Sequence, residues 1–207
     1  VDVQHDFLPG GNLGVPGGDA VVVAMNKYIG KFIAANLPVI ATRDFHPEDH
    51  VSFKAQGGTW PPHCVAGTIG AAFPHDLRLP QDVIIISKGT ATDKDAYSGF
   101  EGCIRHQNDL PEYMWDKFSK EEHPSLAAVL KTLEINRVFI GGLATDYCVK
   151  ATVLDGCNTN WGASENKRVY YLADASAAVN INEGDKEKAE KEMEEAGAIT
   201  VVLEIIE

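Results

Sequence analysis

The chain has 207 residues, a net charge of −12, and 44% hydrophobic against 23% charged residues, the composition of a globular protein able to bury one core. Such a charge repels phosphate backbones, and no basic patch offsets it: "NKR" at 166–168 is too small to seat a nucleic acid. The longest apolar runs, such as "VIII" at 83–86, are strand-sized, so no membrane contact is expected.

No linker rich in Ser, Gly or Pro divides the chain, and a single domain over 1–207 is expected. The cysteines at 64, 103, 148 and 157 form no C-x-x-C pair, and there is no signal peptide. Free thiols in a reducing compartment follow, with the cytoplasm as the simplest reading. The sequence opens on "VDVQ" without a methionine, inside an expected strand, so residues ahead of Val1 are expected and a removed leader stays open.

In chain order the patterns predict a strand at 1–3, a helix around 19–36, and strands "PVIAT" (38–42) and "DVIIIS" (82–87). A helix around 124–134, the strand "RVFIGG" (137–142) and a helix from about 146 follow. The series ends with "RVYYLAD" (168–174), a charged helix near 184–196 and "ITVVLEI" (199–205). Repeated strand–helix alternation implies a three-layer α/β/α fold with a mainly parallel six-stranded sheet. In the charged helix Ala189, Met193 and Ala196 lie near helical spacing, and the Lys and Glu residues form a solvated outer face. The two long connections, 43–81 and 88–122, are rich in Gly, Pro, His and aromatic residues and are expected to line a site.

Ligands of such sheets sit beyond the carboxyl ends of the strands. Three chemistry-bearing residues fall there: Asp2, Lys88 and, in "GGLATDYC", Cys148. An ammonium and a helix N-terminus both favour a thiolate, and a carboxylate can carry the thiol proton to a leaving amine. Backbone N–H groups at the same helix start suit a developing oxyanion. A second group follows the second strand. "RDFHPEDH" sets Asp44 and His46 two residues apart, on one side of an extended segment, with His50 beyond, and "WPPHC" adds His63. These can share a metal, with zinc, iron or manganese suited to the donor set. Equally, Asp44 can pair with Arg43 or cap the turn at Pro47 while the histidines line a loop. Cys64 is an alternative ligand to His63, read here as a buried bystander.

Five segments, "VDVQHDFLPGGNLGVPGG", "ATRDFHPEDHVSF", "TWPPHCVAGTIGAAF", "SKGTATDKDAYSGFEG" and "GLATDYCVKATVLD", occur in an order that resembles the isochorismatase-like cysteine hydrolases, in their nicotinamidase branch. The resemblance implies a catalytic triad of Asp2, Lys88 and Cys148, with oxyanion-hole amides at Ala144 and Cys148. It implies a cis peptide between Ala144 and Thr145. One divalent metal, zinc first with iron or manganese as alternatives, would be held by Asp44, His46 and His63, with His50 as an optional fourth ligand. Phe7, Trp60 and Tyr97, with Leu13 nearby, would flank a substrate ring, while Asp6 keeps its reading as a structural turn residue. The implied reaction is hydrolysis of nicotinamide to nicotinate and ammonia, with pyrazinamide also accepted and a homo-oligomer allowed. Two rivals remain: an amidase acting on a carbamoyl or ureido group, and a ligand-binding module without catalysis. The insert at 103–124 is longer and more aromatic than the resemblance implies, which leaves its role as lid or subunit contact open, and the long turn at 154–167 suggests no chemistry.

Overall fold

The computed structural model describes residues 1–119, 121–162 and 167–205. Its strands are β1 (Ile40–Asp44), β2 (Ile84–Lys88), β3 (Arg137–Leu143), β4 (Arg168–Ala177) and β5 (Ile199–Val201). All pairings are parallel, β1 with β2 in one sheet and β3–β4–β5 in another. The expected sixth strand, at 1–3, lies between the two sheets. Val1 accepts from Leu143 N–H (3.0 Å), and Asp2 N–H donates to the Thr42 carbonyl (3.1 Å). These residues are not a regular strand because Asp2 adopts φ 48, a left-handed conformation that breaks the ladder after Val1 has also donated to the Gly141 carbonyl (2.7 Å). Gly142 permits the close passage on the β3 side: its φ is 129, and a Cβ there would overlap the Val1 carbonyl.

Two corrections concern strand limits. β1 runs two residues later than its apolar run suggests, because Ile40–Asp44 pairs residue for residue with Ile84–Lys88 and thereby carries Arg43 and Asp44 into the sheet. β5 ends early, since Leu203 N–H turns out to Asp174 Oδ2 (3.1 Å).

The helices are α1 (Gly18–Ala34), α2 (Leu126–Thr132), α3 (Lys150–Asn158) and α4 (Asp185–Glu195). In α1 the buried Val21, Val22, Tyr28 and Ile29 recur at helical spacing and pack with Leu143, Leu172 and Val201. Leu126, Val129 and Leu130 of α2, Val153 of α3 and Met193 of α4 join Ile84, Ile86, Ile140 and Tyr171 in a second core. Helices thus cover the sheet on both sides. Ser125 caps α2, accepting from Ala128 N–H at 3.2 Å, which starts that helix later than its apolar pattern does.

The insert at 103–124 is neither a free lid nor a loose loop. Leu110, Met114 and Phe118, four residues apart, bury into the core, and Asp109 accepts two hydrogen bonds from the Arg43 guanidinium (3.1 and 3.2 Å). In the long turn at 154–167, Trp161 is fully buried with its indole N–H on the Gly156 carbonyl (2.6 Å); residues 163–166 of that turn lie outside the described residues. Among the described residues no helix is long and apolar enough to cross a membrane.

Candidate active site

The register of β1 on β2 places Asp44 beside Lys88, and side-chain alternation puts Thr42 on the same face as Asp44. Thr42 Oγ1 donates to Asp2 Oδ1 (2.6 Å), and Lys88 Nζ donates to Asp44 Oδ1 and to the Ala96 carbonyl (3.3 Å). Lys88 Nζ also lies 2.9 Å from Asp2 Oδ2 and 3.4 Å from Cys148 Sγ. Asp2, Lys88 and Cys148 therefore converge at one ammonium group, as their positions after three strands require. Asp2 and Lys88 are entirely buried. Although Asp2 Oδ2 is within ion-pair distance of Lys88, the contact lacks hydrogen-bond geometry, so this oxygen keeps an unused lone pair among the described residues.

Cys148 sits in a tight turn, Thr145–Val149, that leads into α3. The Ala144 carbonyl accepts from Tyr147 and Val149 N–H (3.0 and 3.1 Å), and Thr152 Oγ1 donates to the Cys148 carbonyl (2.7 Å). The same hydroxyl accepts from Gly99 N–H (2.9 Å), tying the Tyr97 loop to the cysteine turn. The cis peptide lies between Leu143 and Ala144, not between Ala144 and Thr145; it is the first bond past the end of β3.

The electrostatics correct one expectation. Burial pushes the Cys148 thiol well above its ordinary range, and although Lys88 pulls it down, Asp2 and Asp44 push it up again. Lys88 has a single charge to set against burial and two carboxylates, so its pull on the sulfur is outweighed. Burial opposes the Lys88 ammonium as well, but Asp2 and Asp44 outweigh it and raise its pKa well above normal. For Asp44 burial favours the acid, yet Lys88 and then His46 hold it ionised far below the usual carboxylate range.

Asp44, His46 and His63 present one ligand atom each within 4.8 Å of one another, all buried. His46 Nδ1 bonds the Gly89 carbonyl (2.8 Å) and His63 Nδ1 bonds the Pro61 carbonyl (2.8 Å). Each Nδ1 contact leaves Nε2 as the ring's ligand atom, the orientation a ligating histidine needs, and His46 Nε2 lies 3.6 Å from Asp44 Oδ2. Gly89 is required for this: at φ 59 it turns its carbonyl to His46, and a Cβ would overlap the imidazole ring. The residues fit a divalent ion with nitrogen and oxygen donors. A second trio, Asp2, Asp44 and Cys148, is equally close, but the Lys88 ammonium already occupies its centre. His50 does not join the cluster. Its ring stacks on His46 at 4.1 Å, with Nδ1 on Ser52 Oγ (2.8 Å) and Nε2 on the Lys94 carbonyl (3.1 Å), so both nitrogens are engaged. Cys64 also stands apart, its Sγ turned to the Gly70 carbonyl.

The thiol and the cluster open on one small pocket. Phe7, Leu13, Trp60 and Tyr97 line it, as do Ala144 and Cys148. Trp60 donates its indole N–H to Tyr97 Oη (3.1 Å) and meets Tyr147 edge-on at 5.3 Å. Tyr147, Val179 and Asp95 also line the pocket and were missed in the sequence. For Tyr147 a signal existed, its place directly before the nucleophile; Val179 and Asp95 reach the pocket through loop folding alone.

Residues 1–204 match the Isochorismatase domain. The chain is 34% identical to the nicotinamidase of Escherichia coli, the match covering 98% of this chain and 92% of the relative. Among solved structures, the pyrazinamidase of Pyrococcus horikoshii in complex with zinc is 40% identical with a TM-score of 0.79, covering 98% of this chain and 96% of that one. A protein of L. infantum in complex with nicotinate is 32% identical with a TM-score of 0.74, covering 97% and 89%.

Proposed function

The chain belongs to the isochorismatase family, and within it we propose that this protein is a nicotinamidase, hydrolysing nicotinamide to nicotinate and ammonia through a Cys148 thioester and accepting pyrazinamide by the same geometry. The observation that carries the reading is the shared pocket: a cysteine on one wall, backed by its buried proton acceptor and cation, an Asp-His-His cluster on another, and aromatic rings between them. The nicotinamidase, zinc and nicotinate of the relatives support it.

In this reading Cys148 Sγ attacks the carboxamide carbon as its proton passes to Asp2 Oδ2, the oxygen with the unused lone pair. Burial and the two carboxylates disfavour a free thiolate, so in this reading proton transfer accompanies attack. The N–H groups of Ala144 and Cys148 hold the oxyanion. When the tetrahedral intermediate collapses, Asp2 returns the proton to the nitrogen and ammonia leaves. Water then adds to the thioester, giving its proton to Asp2, and the C–S bond breaks to release nicotinate and restore the thiol. Throughout, Lys88 stabilises the negative charge passing between sulfur and Asp2. Asp44, His46 and His63 would hold a divalent metal, zinc by the donor set, which when bound supplies a ligand position for the pyridine nitrogen and so orients the ring. Trp60 and Phe7 confine the ring, and Tyr147 and Tyr97 close the aromatic wall.

We read residues 1–207 as one domain, with strands of both sheets sharing one core in support, and place the protein in the cytoplasm on the strength of its four free cysteines. The test of the activity is ammonia release from nicotinamide by the wild type and by Cys148→Ala. The wild type is expected to turn over and the variant to be inert while folded; release by both, or by neither, overturns the reading.

A further inference from the structure

The left-handed φ of Asp2 has a structural cost, since it removes the segment after residue 2 from the ladder against β1. The place of the missing peptide bonds is taken by a side chain. Gln4 Oε1 accepts from Asp44 N–H (2.8 Å), and Gln4 Nε2 donates to the Asp44 carbonyl (2.8 Å), the pair of bonds a neighbouring strand residue would make. The second Nε2 hydrogen goes to the Ala71 carbonyl (2.9 Å). Gln4 is fully buried, and a primary amide offers the one acceptor and two donors this position consumes.

Two residues further on, Asp6 does the same for the opposite side of the metal cluster. Its Oδ2 accepts from Cys64 N–H (2.7 Å) and its Oδ1 from Asn12 N–H (3.1 Å). Cys64 directly follows His63, is itself left-handed at φ 45, and its carbonyl accepts from His46 N–H (3.0 Å). His5 N–H on the Ala72 carbonyl (3.0 Å) and Asp6 N–H on the Gly70 carbonyl (3.1 Å) lock the segment in place. Gln4 thus holds the peptide of one cluster member and Asp6 the peptide adjoining another, from a single run that also supplies Asp2. Neither Gln4 nor Asp6 lines the pocket.

We propose that Gln4 and Asp6 are positioning residues that set the spacing between Asp44 and His63 and so the affinity of the cluster for its metal, an inference resting on the metal reading above. Outer groups that orient ligands contribute about 10–100-fold to metal affinity. The test uses the full chain with zinc ion as the probe, titrated against a chromophoric chelator, and cobalt(II) as a spectroscopic reporter of coordination geometry. The variants are Gln4→Met, which keeps volume but loses all three bonds, and the isosteric Asp6→Asn, which keeps the fold testable if the first variant unfolds. Asn26→Ala is the control: Asn26 likewise bridges two backbone groups, the Asp76 carbonyl and Arg78 N–H (both 2.8 Å), but outside the pocket. Gln4→Met and Asp6→Asn are expected to weaken zinc binding by roughly 10–100-fold and to alter the cobalt visible spectrum, with Asn26→Ala matching the wild type in both. Wild-type affinity in both site variants overturns the inference alone, as does an equal loss in Asn26→Ala, which would mark a general loss of stability. Failure of the wild type to take up zinc overturns the inference together with the metal reading.

Discussion

Replacing Lys88 by Met keeps most of the buried stem and removes the charge on which three groups converge. With Nζ 3.4 Å from Cys148 Sγ, a full charge on sulfur interacts with the ammonium by about 5 kcal/mol at an effective dielectric of about 20. Sulfur carries only part of that charge in the attacking transition state, so about half is a reasonable share, which lowers kcat on the order of 10²-fold. The substitution also leaves Asp2 and Asp44 facing each other without a cation, a loss of about 3–5 kcal/mol in stability when a buried pair is broken. The sign with pH follows. In the wild type the Lys88 pKa is raised, so its stabilisation is complete below the ordinary lysine pKa and is lost only as pH rises through the higher folded value. In the variant the burial of Asp44 is no longer offset by Lys88, so its folded pKa rises and the melting temperature, measured against the wild type, should fall further as pH rises from about 5 to 8. The assays are ammonia release from nicotinamide at saturating substrate and thermal unfolding across that pH range. A kcat within about threefold of the wild type and a pH-independent difference in melting temperature would refute the placing of Lys88 at the centre of the site.

Gly89→Ala forces a left-handed residue to carry a Cβ that overlaps the His46 ring; a stability loss of about 1–2 kcal/mol and zinc affinity lowered at least about 10-fold are expected from chemical denaturation and chelator competition. Tyr147→Ala removes the edge-on partner of Trp60 and should raise KM for nicotinamide by roughly 3–10-fold with a smaller change in kcat, the worth of one aromatic pair; an unchanged KM would remove Tyr147 from the ring pocket. Because Cys148 is buried and its pKa is pushed up by burial, alkylation of the resting protein near neutral pH should not single it out from the more exposed Cys103 and Cys157; peptide mapping that finds Cys148 labelled first would show a resting thiolate.

Much of the site was legible because strand ends are legible. Lys88 closes one apolar run, Cys148 comes shortly after another, and Asp2 sits in a segment that reads as a strand; in a parallel sheet such positions share one edge. The Asp-x-His spacing likewise survives folding because its residues leave β1 in sequence. What could not be read depends on distant partners. His50 carries the right chemistry but is stacked behind His46 with both nitrogens engaged, and nothing in "HPEDH" distinguishes the two rings. The upward direction of the Cys148 pKa is not legible in the sequence, where nothing sets Asp44 against Lys88 to take up its charge. In 103–124 the sequence carries a local signal, Leu110, Met114 and Phe118 at four-residue spacing, which marks a buried face. The regular sixth strand fails at Asp2, whose left-handed φ no hydrophobic pattern announces.

The central claim is that the Asp44, His46 and His63 cluster selects an aromatic amide by its ring nitrogen. Benzamide presents the same carboxamide on a ring of nearly the same shape but has a C–H where nicotinamide has a lone pair. The decisive measurement is kcat/KM for nicotinamide and for benzamide with the zinc-loaded protein, repeated with His63→Ala. Sites that satisfy a buried polar group reject the analogue lacking it by up to about 10⁴–10⁵, and a preference for nicotinamide of at least about 10² is predicted, falling close to parity in His63→Ala. Comparable values for the two amides in the zinc-loaded wild type would contradict the claim.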